Sequence, residues 1–359
     1  MQLTSDPVIG TPTCESTPFG WQDDDVSTSH PTSCTASADS AEPDTVTDQA
    51  LRNLCSRGAV HGGIRSLRPH QWLKNSLLFG GLIFSGHLTE PAAIVMAMSA
   101  FGVFCLAASA VYLLNDLMDR HTDRLHPVKR YRPIASGQFP AASAAIVCLL
   151  MFAAALAGGF VIGISFGGIV CLYIAQNLAY TMGLKRVAIL DIMIIANGFI
   201  LRAVAGAFAV STTASPWLVI CAQMLALFVA CGKRRHELAL LKEHASSHRS
   251  NLTEYSTSLL DLMMAITGSA GMMTYVLYTL SPWVCVRYGS YAMALTIPMV
   301  LYGIFRFLFL VHHRGRGGEP SLLFVSDRGL LISGFLWVIV TCFAVYAPQE
   351  WLPWYRIEL

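Results

Sequence analysis

Acidic side chains at helical spacing form the clearest chemical signal in the sequence. Residues 113–123 read LLNDLMDRHTD, and the acidic and amide side chains among them are Asn115, Asp116, Asp119 and Asp123. At about 100° per residue, these four side chains fall within one arc of about 100° on a single helix. Carboxylates this close repel one another unless a hard cation neutralises them, and Mg²⁺ binds one or two carboxylates together with phosphate oxygens. The spacing therefore predicts a Mg²⁺ site; the alternative is a solvated helix end whose acids pair with neighbouring arginines.

A basic loop follows the acidic segment directly. Residues 126–137 read HPVKRYRPIASG and include Lys129, Arg130 and Arg132. Three cations beside an acidic cluster are explained if phosphate groups lie between them, bridged to the metal on one side and held by Lys or Arg on the other. The bias of basic residues toward the cytoplasmic side of a membrane also explains the charges, but it does not explain the Pro and Gly residues that shape the loop. We therefore interpret the loop as a phosphate-binding site.

A second group of polar residues lies further along the chain. Tyr180 and Lys185 precede Asp191 and Arg202, which lie in an otherwise apolar stretch. Lone ionisable groups at membrane depth are costly and normally face a polar cavity or a partner. Asp191 and Arg202 are separated by about 16 Å of helix, so they are poorly placed to pair with each other. We interpret them as candidate substrate-binding residues, while Lys185, like Lys74 near the start of the apolar part, has the alternative of being only a charged membrane flank.

The elements that must position these residues are membrane-spanning helices. The chain has 359 residues, 54% of them apolar and 13% charged, with a mean hydropathy of +0.52, which lies outside the range of ordinary soluble proteins. A helix needs about 20 apolar residues to cross the hydrocarbon core of a bilayer. Such windows recur at residues 72–88, 91–114, 139–158, 160–183, 187–210, 215–232, 263–285, 290–311 and 329–347. The sequence predicts an all-α integral membrane protein with nine transmembrane helices.

The distribution of basic residues predicts the orientation of the bundle. If the amino terminus is cytoplasmic, nearly all of the 24 Lys and Arg residues fall on the cytoplasmic side, and only Arg287 and Arg356 fall in external connections. The two longest connections, 115–138 and 233–262, lie on the cytoplasmic side and hold most of the ionisable groups. We expect a multi-pass plasma membrane protein with a cytoplasmic polar cap and an external carboxyl terminus. A channel would instead place polar residues along several helices at mid-depth.

The amino-terminal segment differs from the rest of the chain. Residues 1–62 are rich in Ser, Thr, Asp and Pro, carry most of the acidic excess and show no apolar periodicity. Such a segment cannot bury enough apolar surface to offset the entropy of ordering. We expect a disordered acidic tail followed by a catalytic transmembrane domain over residues 63–359. The ten cysteines are scattered singly, without Cys/His spacing for zinc.

These motifs together resemble a known family. The pattern NDxxDxxxD closing the second span, YxxxxK entering the fifth, and nine helices resemble the UbiA superfamily of intramembrane prenyltransferases, from about Arg65 to Tyr346. Within that superfamily, the segments RPHQWLKN, HPxKRxRPIASG, YxxxLKxxxxLD, GFxLRAxAGA and SDRGLL most resemble the branch of decaprenyl-phosphate phosphoribosyltransferases. The resemblance implies a UbiA-type helical bundle.

The resemblance also implies an activity. It implies an enzyme that moves 5-phosphoribose from phosphoribosyl diphosphate to a polyprenyl (decaprenyl) phosphate and releases diphosphate, in the synthesis of precursors for the arabinan of cell-wall arabinogalactan. The implied cofactor is Mg²⁺, and the implied partners are phosphoribosyl diphosphate, a polyprenyl phosphate lipid and the membrane. We expect no nucleic-acid partner, and the sequence leaves a homo-oligomer open.

The resemblance assigns roles to the candidate residues. The catalytic, metal-binding set is Asp116, Asp119 and Asp123, with Asn115 as a further metal ligand, and the substrate-binding set is Lys74, Lys129, Arg130, Arg132, Tyr180, Lys185, Asp191 and Arg202. In the second set, Lys74 would meet the acceptor phosphate, whereas Tyr180 and Asp191 would shape a second site. Two alternatives remain. One is a prenyltransferase that joins a prenyl diphosphate to an aromatic or other small acceptor, and the other is a transporter or lipid-binding scaffold without catalysis.

Overall fold

The computed structural model of the protein describes residues 61–126, 129–213, 215–243, 254–288, 290–313, 320–348 and 351. Helices form nearly all of these residues, so the all-α prediction is confirmed for the described part of the chain. The predicted acidic tail lies outside the described residues, except that residues 61 and 62 already belong to a helical stretch over residues 61–66.

After the helical stretch over residues 61–66, the described part contains twelve α-helices. They are α1 (Phe79–Ser85), α2 (Pro91–Met118), α3 (Arg120–Leu125), α4 (Ala141–Ile162), α5 (Ile164–Met182), α6 (Leu190–Ala209), α7 (Pro216–Glu243), α8 (Thr257–Leu280), α9 (Pro282–Tyr288), α10 (Ile297–His313), α11 (Pro320–Ser326) and α12 (Arg328–Tyr346). Shorter 3₁₀ helices cover Pro69–Leu78, Lys129–Tyr131, Leu184–Arg186 and Ala292–Thr296.

Seven helical stretches of the described residues are long and apolar enough to cross a membrane, as judged by length and composition. They are α2, α4, α5, α6, α8, the combined stretch Ala292–His313, and α12. Each overlaps one of the predicted windows. The protein therefore has the helices of a multi-pass membrane protein.

The two other predicted windows take different forms. Window 72–88 is divided between the 3₁₀ helix Pro69–Leu78 and the short helix α1, and window 215–232 is only the first part of α7. A ten-residue 3₁₀ helix rises by about 2.0 Å per residue, so it covers more distance than an α-helix of the same length. Since neither window is among the seven stretches, the count of nine spans stays a prediction.

The divided first segment packs closely against α6. A Cβ atom added to Gly206 of α6 would lie 2.1 Å from the carbonyl oxygen of Leu78, and one added to Gly81 of α1 would lie 2.3 Å from the carbonyl carbon of Gly206. Only glycine permits such an approach, and small residues commonly bring helix backbones together in membranes, where van der Waals packing drives association. This packing holds the residues that precede α1 against the middle of the bundle.

Two clusters of apolar side chains fill the interior on either side of α6. One cluster joins α2, α5 and α6 through residues such as Phe104, Phe166 and Leu201. The other joins α7, α8 and α10 through residues such as Phe228 and Phe307, whose ring centroids lie 5.2 Å apart. Polar side chains concentrate where α2, α5 and α7 approach their carboxyl ends and where α6 and α8 begin.

Candidate active site

The acidic segment lies where α2 gives way to α3. Helix α2 ends at Met118, Asp119 has φ −86° and ψ 1°, and α3 begins at Arg120. The prediction of one continuous helix through Asp123 is therefore wrong. Helical spacing nevertheless persists across the break, because the amide of Asp119 donates to the carbonyl of Asn115 at 2.9 Å and that of Asp123 donates to the carbonyl of Asp119 at 2.8 Å.

Two of the acidic side chains share one guanidinium. Arg132 Nη1 lies 3.2 Å from Asp116 Oδ1 and 2.6 Å from Asp123 Oδ2. Arg68 Nη2 reaches the same Asp116 oxygen at 2.7 Å, and its guanidinium stacks over the ring of Tyr112 at 5.0 Å. Asp116 and Asp123 are both buried, each with 3% of its surface exposed. Buried carboxylates require such partners because an isolated ionised group is costly to remove from water.

The other two predicted ligands face the connection between α5 and α6. The hydroxyl of Thr181 donates to Asn115 Oδ1. Lys185 Nζ lies 3.1 Å from Asp119 Oδ1 and 3.3 Å from Asp119 Oδ2. The side chain of Asp119 is 40% exposed and that of Lys185 is 20% exposed. The structure therefore arranges the four predicted ligands as two neighbouring pairs, one paired with arginines and one with Thr181 and Lys185.

The pair formed by Asp116 and Asp123 is suited to a small hard cation. Their facing oxygens both lie within hydrogen-bond distance of a single nitrogen atom, so they point toward one position. Among the described residues, no group of three or more His, Cys, Asp or Glu side chains is arranged to hold a metal ion. Mg²⁺ does not require a complete protein cage, since it commonly takes one or two carboxylates and completes its octahedron with water and substrate phosphates. The residues present therefore fit Mg²⁺ bound together with a phosphate ligand.

The basic loop brings Arg132 to the acids. Arg132 makes the contacts described above, whereas Arg130 donates to the hydroxyl of Tyr131 at 2.7 Å and lies over that ring at 4.8 Å. Lys129 is partly buried in the 3₁₀ helix Lys129–Tyr131. The loop then closes through Gly137, whose φ of +80° favours glycine. Arg132 thus lies in the site, and Arg130 lies exposed beside it.

A second polar cluster surrounds Asp191 at the start of α6. Asp191 is fully buried, its Oδ2 lies 2.8 Å from Arg234 Nε, and its Oδ1 accepts a hydrogen bond of 2.7 Å from the hydroxyl of Tyr255. Arg234 Nη2 also donates to the hydroxyl of Tyr180 at 3.3 Å, and Nη1 pairs with Glu237. Burial and the nearby Asp191 carboxylate raise the pKa of Tyr255, so its hydroxyl keeps its proton and remains a donor. The predicted residues Tyr180 and Asp191 therefore meet through Arg234.

Arg202 lies in a separate polar network inside the bundle. Its Nε donates to Asn75 Oδ1 at 2.7 Å, its Nη1 to the carbonyl of Gly198 at 2.6 Å, and its Nη2 to the hydroxyl of Tyr173 at 2.8 Å. These contacts satisfy a charged group that is otherwise costly at membrane depth. The structure does not bring Arg202 to the acidic residues. Lys74 lies partly buried on the 3₁₀ helix that contains Asn75.

Sequence reasoning did not assign a site role to four residues that the structure brings into these clusters. They are Arg68, Thr181, Arg234 and Tyr255. Arg68 and Arg234 belong to the basic segments RPHQWLKN and KRRHE, which also fit simple charged membrane flanks. Thr181 lies beside a predicted site residue, Tyr180, but a hydroxyl carries no distinctive pattern. Tyr255 has no local signal that distinguishes it from other tyrosines.

Comparisons with known proteins show the family of the chain. Residues 76–339 match the model of the UbiA prenyltransferase family. The decaprenyl-phosphate phosphoribosyltransferase of Mycolicibacterium smegmatis is 34% identical over 301 residues, which cover 81% of this chain and 94% of that protein. The protein of the same name from Corynebacterium glutamicum is 32% identical over 305 residues, covering 81% and 88%, and that from Mycobacterium tuberculosis is 31% identical over 294 residues, covering 80% and 95%.

A solved structure also shares the fold. A UbiA homolog from Archaeoglobus fulgidus, bound to DMAPP and Mg²⁺, superposes with a TM-score of 0.60 at 16% identity and covers 80% of this chain and 99% of that chain. The protein described here belongs to the UbiA prenyltransferase family, and the predicted class of multi-pass membrane transferase is confirmed. Within the family, its sequence is similar to decaprenyl-phosphate phosphoribosyltransferases over four fifths of its length.

Proposed function

We propose that this protein catalyses the Mg²⁺-dependent transfer of 5-phosphoribose from phosphoribosyl diphosphate to a polyprenyl phosphate, most directly decaprenyl phosphate. The observation that carries the proposal is the arrangement of Asp116 and Asp123 around Arg132, in a chain 31–34% identical to phosphoribosyltransferases of that specificity. The relatives supply the choice of donor and acceptor. The geometry supports the proposal, because the oxygens of Asp116 and Asp123 face one position beside basic side chains.

The charges of the site suit a diphosphate. Arg68, Arg132 and Lys185 pair with the carboxylates of Asp116, Asp123 and Asp119. Asp116 and Asp123 would hold Mg²⁺ against the donor diphosphate, with Asn115 and Asp119 beside them. With a cation held by the carboxylates, Arg68, Arg132 and Lys185 would be available to bind phosphate oxygens, which arginine binds in bidentate fashion. Further donor contacts would come from Lys129 and Arg130 in the adjoining loop.

The transfer needs little proton chemistry. The bond between the anomeric carbon of the ribose and the diphosphate oxygen breaks, a bond from that carbon to a phosphate oxygen of the acceptor forms, and diphosphate leaves with the bonding electrons. Bound Mg²⁺ would neutralise charge that develops on the departing diphosphate. The acceptor phosphate is already an anion at neutral pH, so the residues of the site need not remove a proton from it. The protein's own contribution would be to orient the two anions, with Lys74 meeting the acceptor phosphate.

The proposed substrates fit a site at one end of a membrane bundle. Phosphoribosyl diphosphate is soluble, whereas a polyprenyl phosphate is anchored in the bilayer with its phosphate at the interface. The excess of basic residues on the side of the site supports a cytoplasmic location in the plasma membrane, with the carboxyl terminus outside. A cysteine accessibility assay with a membrane-impermeant reagent in oriented vesicles would test this topology.

A donor screen tests the function. Purified protein in lipid nanodiscs is incubated with decaprenyl phosphate and labelled phosphoribosyl diphosphate, with Mg²⁺ or with excess chelator, and the labelled lipid and released diphosphate are quantified. The expected result is equal amounts of both products with Mg²⁺ and none with chelator. Parallel reactions supply prenyl diphosphates with small aromatic acceptors.

Each outcome of the screen discriminates between the proposed and alternative functions. Transfer from a prenyl diphosphate, with none from phosphoribosyl diphosphate, would replace the proposal by the alternative prenyltransferase activity. No transfer from either donor, by protein that remains folded, would favour a scaffold or transporter. Asp116→Asn should lose transfer, and Glu90→Gln is the matched control because Glu90 is an exposed carboxylate that pairs with His87 outside the site.

A further inference from the structure

Arg234 is a buried cation that joins three parts of the chain. Only 1% of its surface is exposed, yet its guanidinium contacts Asp191 at the start of α6, Glu237 on its own helix and the hydroxyl of Tyr180 near the end of α5. Asp191 is itself fully buried. A buried ion pair contributes little net stability compared with apolar packing, but it fixes the geometry of the groups that it joins. The contacts of Arg234 therefore indicate that it fixes the positions of the residues it joins.

The segment 180–186 connects this buried cluster with the acidic site. Tyr180, at its start, accepts the hydrogen bond from Arg234. The next residue, Thr181, donates to Asn115, and Lys185 contacts both oxygens of Asp119. Between them the chain ends α5 and forms the 3₁₀ helix Leu184–Arg186. A displacement of Tyr180 would therefore move Thr181 and the turn that carries Lys185.

The other end of the connection between α5 and α6, at Ile189, is also constrained. Ile189 has a φ of +67°, a conformation that is rare for a β-branched residue and persists only where its surroundings enforce it. Its backbone amide donates to the hydroxyl of Tyr255 at 2.5 Å, and that hydroxyl donates to Asp191. The turn between α5 and α6 is thus held at Tyr180 through Arg234 and at Ile189 through Tyr255.

We propose that Arg234 is a positioning residue for the donor site: it anchors segment 180–186 through Tyr180 and so sets Thr181 and Lys185 against Asn115 and Asp119. The inference rests on the proposed function, since it deepens the account of the same site. It predicts that Arg234 governs the affinity for the diphosphate donor without touching that donor. The proposed acceptor contact, Lys74, lies on the 3₁₀ helix Pro69–Leu78 and not on segment 180–186, so KM for the lipid acceptor should be unaffected.

Steady-state kinetics with both substrates varied test this inference. Tyr180→Phe removes one hydroxyl and leaves the ion pairs of Arg234 intact, so the fold should survive. Its expected effect is a rise of about threefold to tenfold in KM for the diphosphate donor, the range expected for loss of one ordinary hydrogen bond, with KM for the acceptor within about twofold of wild type. Arg234→Lys keeps the charge but loses the planar fork that reaches several partners, and should raise the donor KM further. Arg235→Lys is the matched control, because the neighbouring Arg235 pairs with Asp261 instead.

A double-mutant cycle separates action through segment 180–186 from general loosening. If Tyr180 acts through Lys185, the fold rise in donor KM of the Tyr180→Phe, Lys185→Gln double variant should be well below the product of the fold rises in the two single variants. If the two residues acted independently, the fold rise in the double variant would equal that product. An unchanged donor KM in Tyr180→Phe, an equal rise in both KM values, or the same effect in Arg235→Lys would overturn the inference. If the wild type used a prenyl diphosphate donor, the proposed function would fail, and the same KM comparison on that donor would still decide the role of Arg234.

Discussion

Replacement of Asp119 by Asn should lower the rate of transfer by orders of magnitude while leaving the protein almost as stable as the wild type. The stability effect follows from exposure: the Asp119 side chain is 40% exposed and that of its partner Lys185 is 20% exposed. Ion pairs of this kind contribute about 0.2–1 kcal/mol. A loss of that size corresponds to a fall in melting temperature of no more than about 4 °C for a chain larger than 150 residues. The catalytic effect should be far larger, about 10²-fold to 10³-fold in kcat, as for removal of one preorganised electrostatic contact.

The assay measures turnover and stability on the same preparation. Initial rates with saturating phosphoribosyl diphosphate and decaprenyl phosphate are compared with melting temperatures from tryptophan fluorescence in detergent. Lys185→Gln should show the same separation, with a small change in melting temperature and a marked loss of donor affinity. Glu90→Gln controls for the loss of a negative charge as such, because Glu90 is an exposed carboxylate outside the site.

Two results would refute this reasoning. Turnover of Asp119→Asn within about threefold of the wild type would remove Asp119 from the site. A fall in melting temperature of more than about 10 °C would instead show that the residue holds the fold, since an exposed ion pair cannot account for such a change. The loss of activity could then be attributed to unfolding.

Further predictions concern stability at other places in the fold. Arg306 and the cap of α12 lower the pKa of Asp327 to about 2, below the value of about 3.9 in an unfolded chain. The ionised carboxylate therefore stabilises the fold above pH ~4 and loses this effect as the pH falls toward 2. Asp327→Asn should consequently flatten the dependence of melting temperature on pH in that range. An unchanged dependence in this variant would contradict the lowered pKa of Asp327. Gly206→Ala should lower the melting temperature strongly, because its Cβ would meet the carbonyl oxygen of Leu78, whereas Gly80→Ala, with open space around its Cβ, should have little effect. Equal effects of the two alanine variants would exclude the close packing described for α6.

Local composition predicted much of the fold. Helix α4, for example, is a run of apolar residues from Ala141 to Ile162, and such a run has few alternatives in a bilayer because every backbone polar group must be satisfied within the segment. The segment Pro69–Leu78 could not be foreseen in the same way. It contains buried Gln71 and Asn75, and Asn75 accepts a hydrogen bond from Arg202, which lies far away in the chain.

The acidic motif was visible in the sequence, but its partners were only partly so. Asp116 pairs with Arg68, 48 positions earlier, and Asp191 pairs with Arg234 on another helix. Pairing across such distances is decided by helix packing and not by local spacing. The break at Asp119 was missed for a related reason: a run of helix-compatible residues gives no sign that the chain will turn there to bring Asp123 toward Arg132.

The proposed function requires that the oxygens of Asp116 and Asp123 hold a divalent cation that also binds the donor diphosphate. Electron paramagnetic resonance with Mn²⁺ as the probe tests it most directly, on wild-type protein in nanodiscs with phosphoribosyl diphosphate and no lipid acceptor. We expect phosphorus hyperfine coupling to protein-bound Mn²⁺ in the wild type, and its loss in Asp116→Asn and Asp123→Asn. Undiminished binding of the Mn²⁺–diphosphate complex in both variants would contradict it.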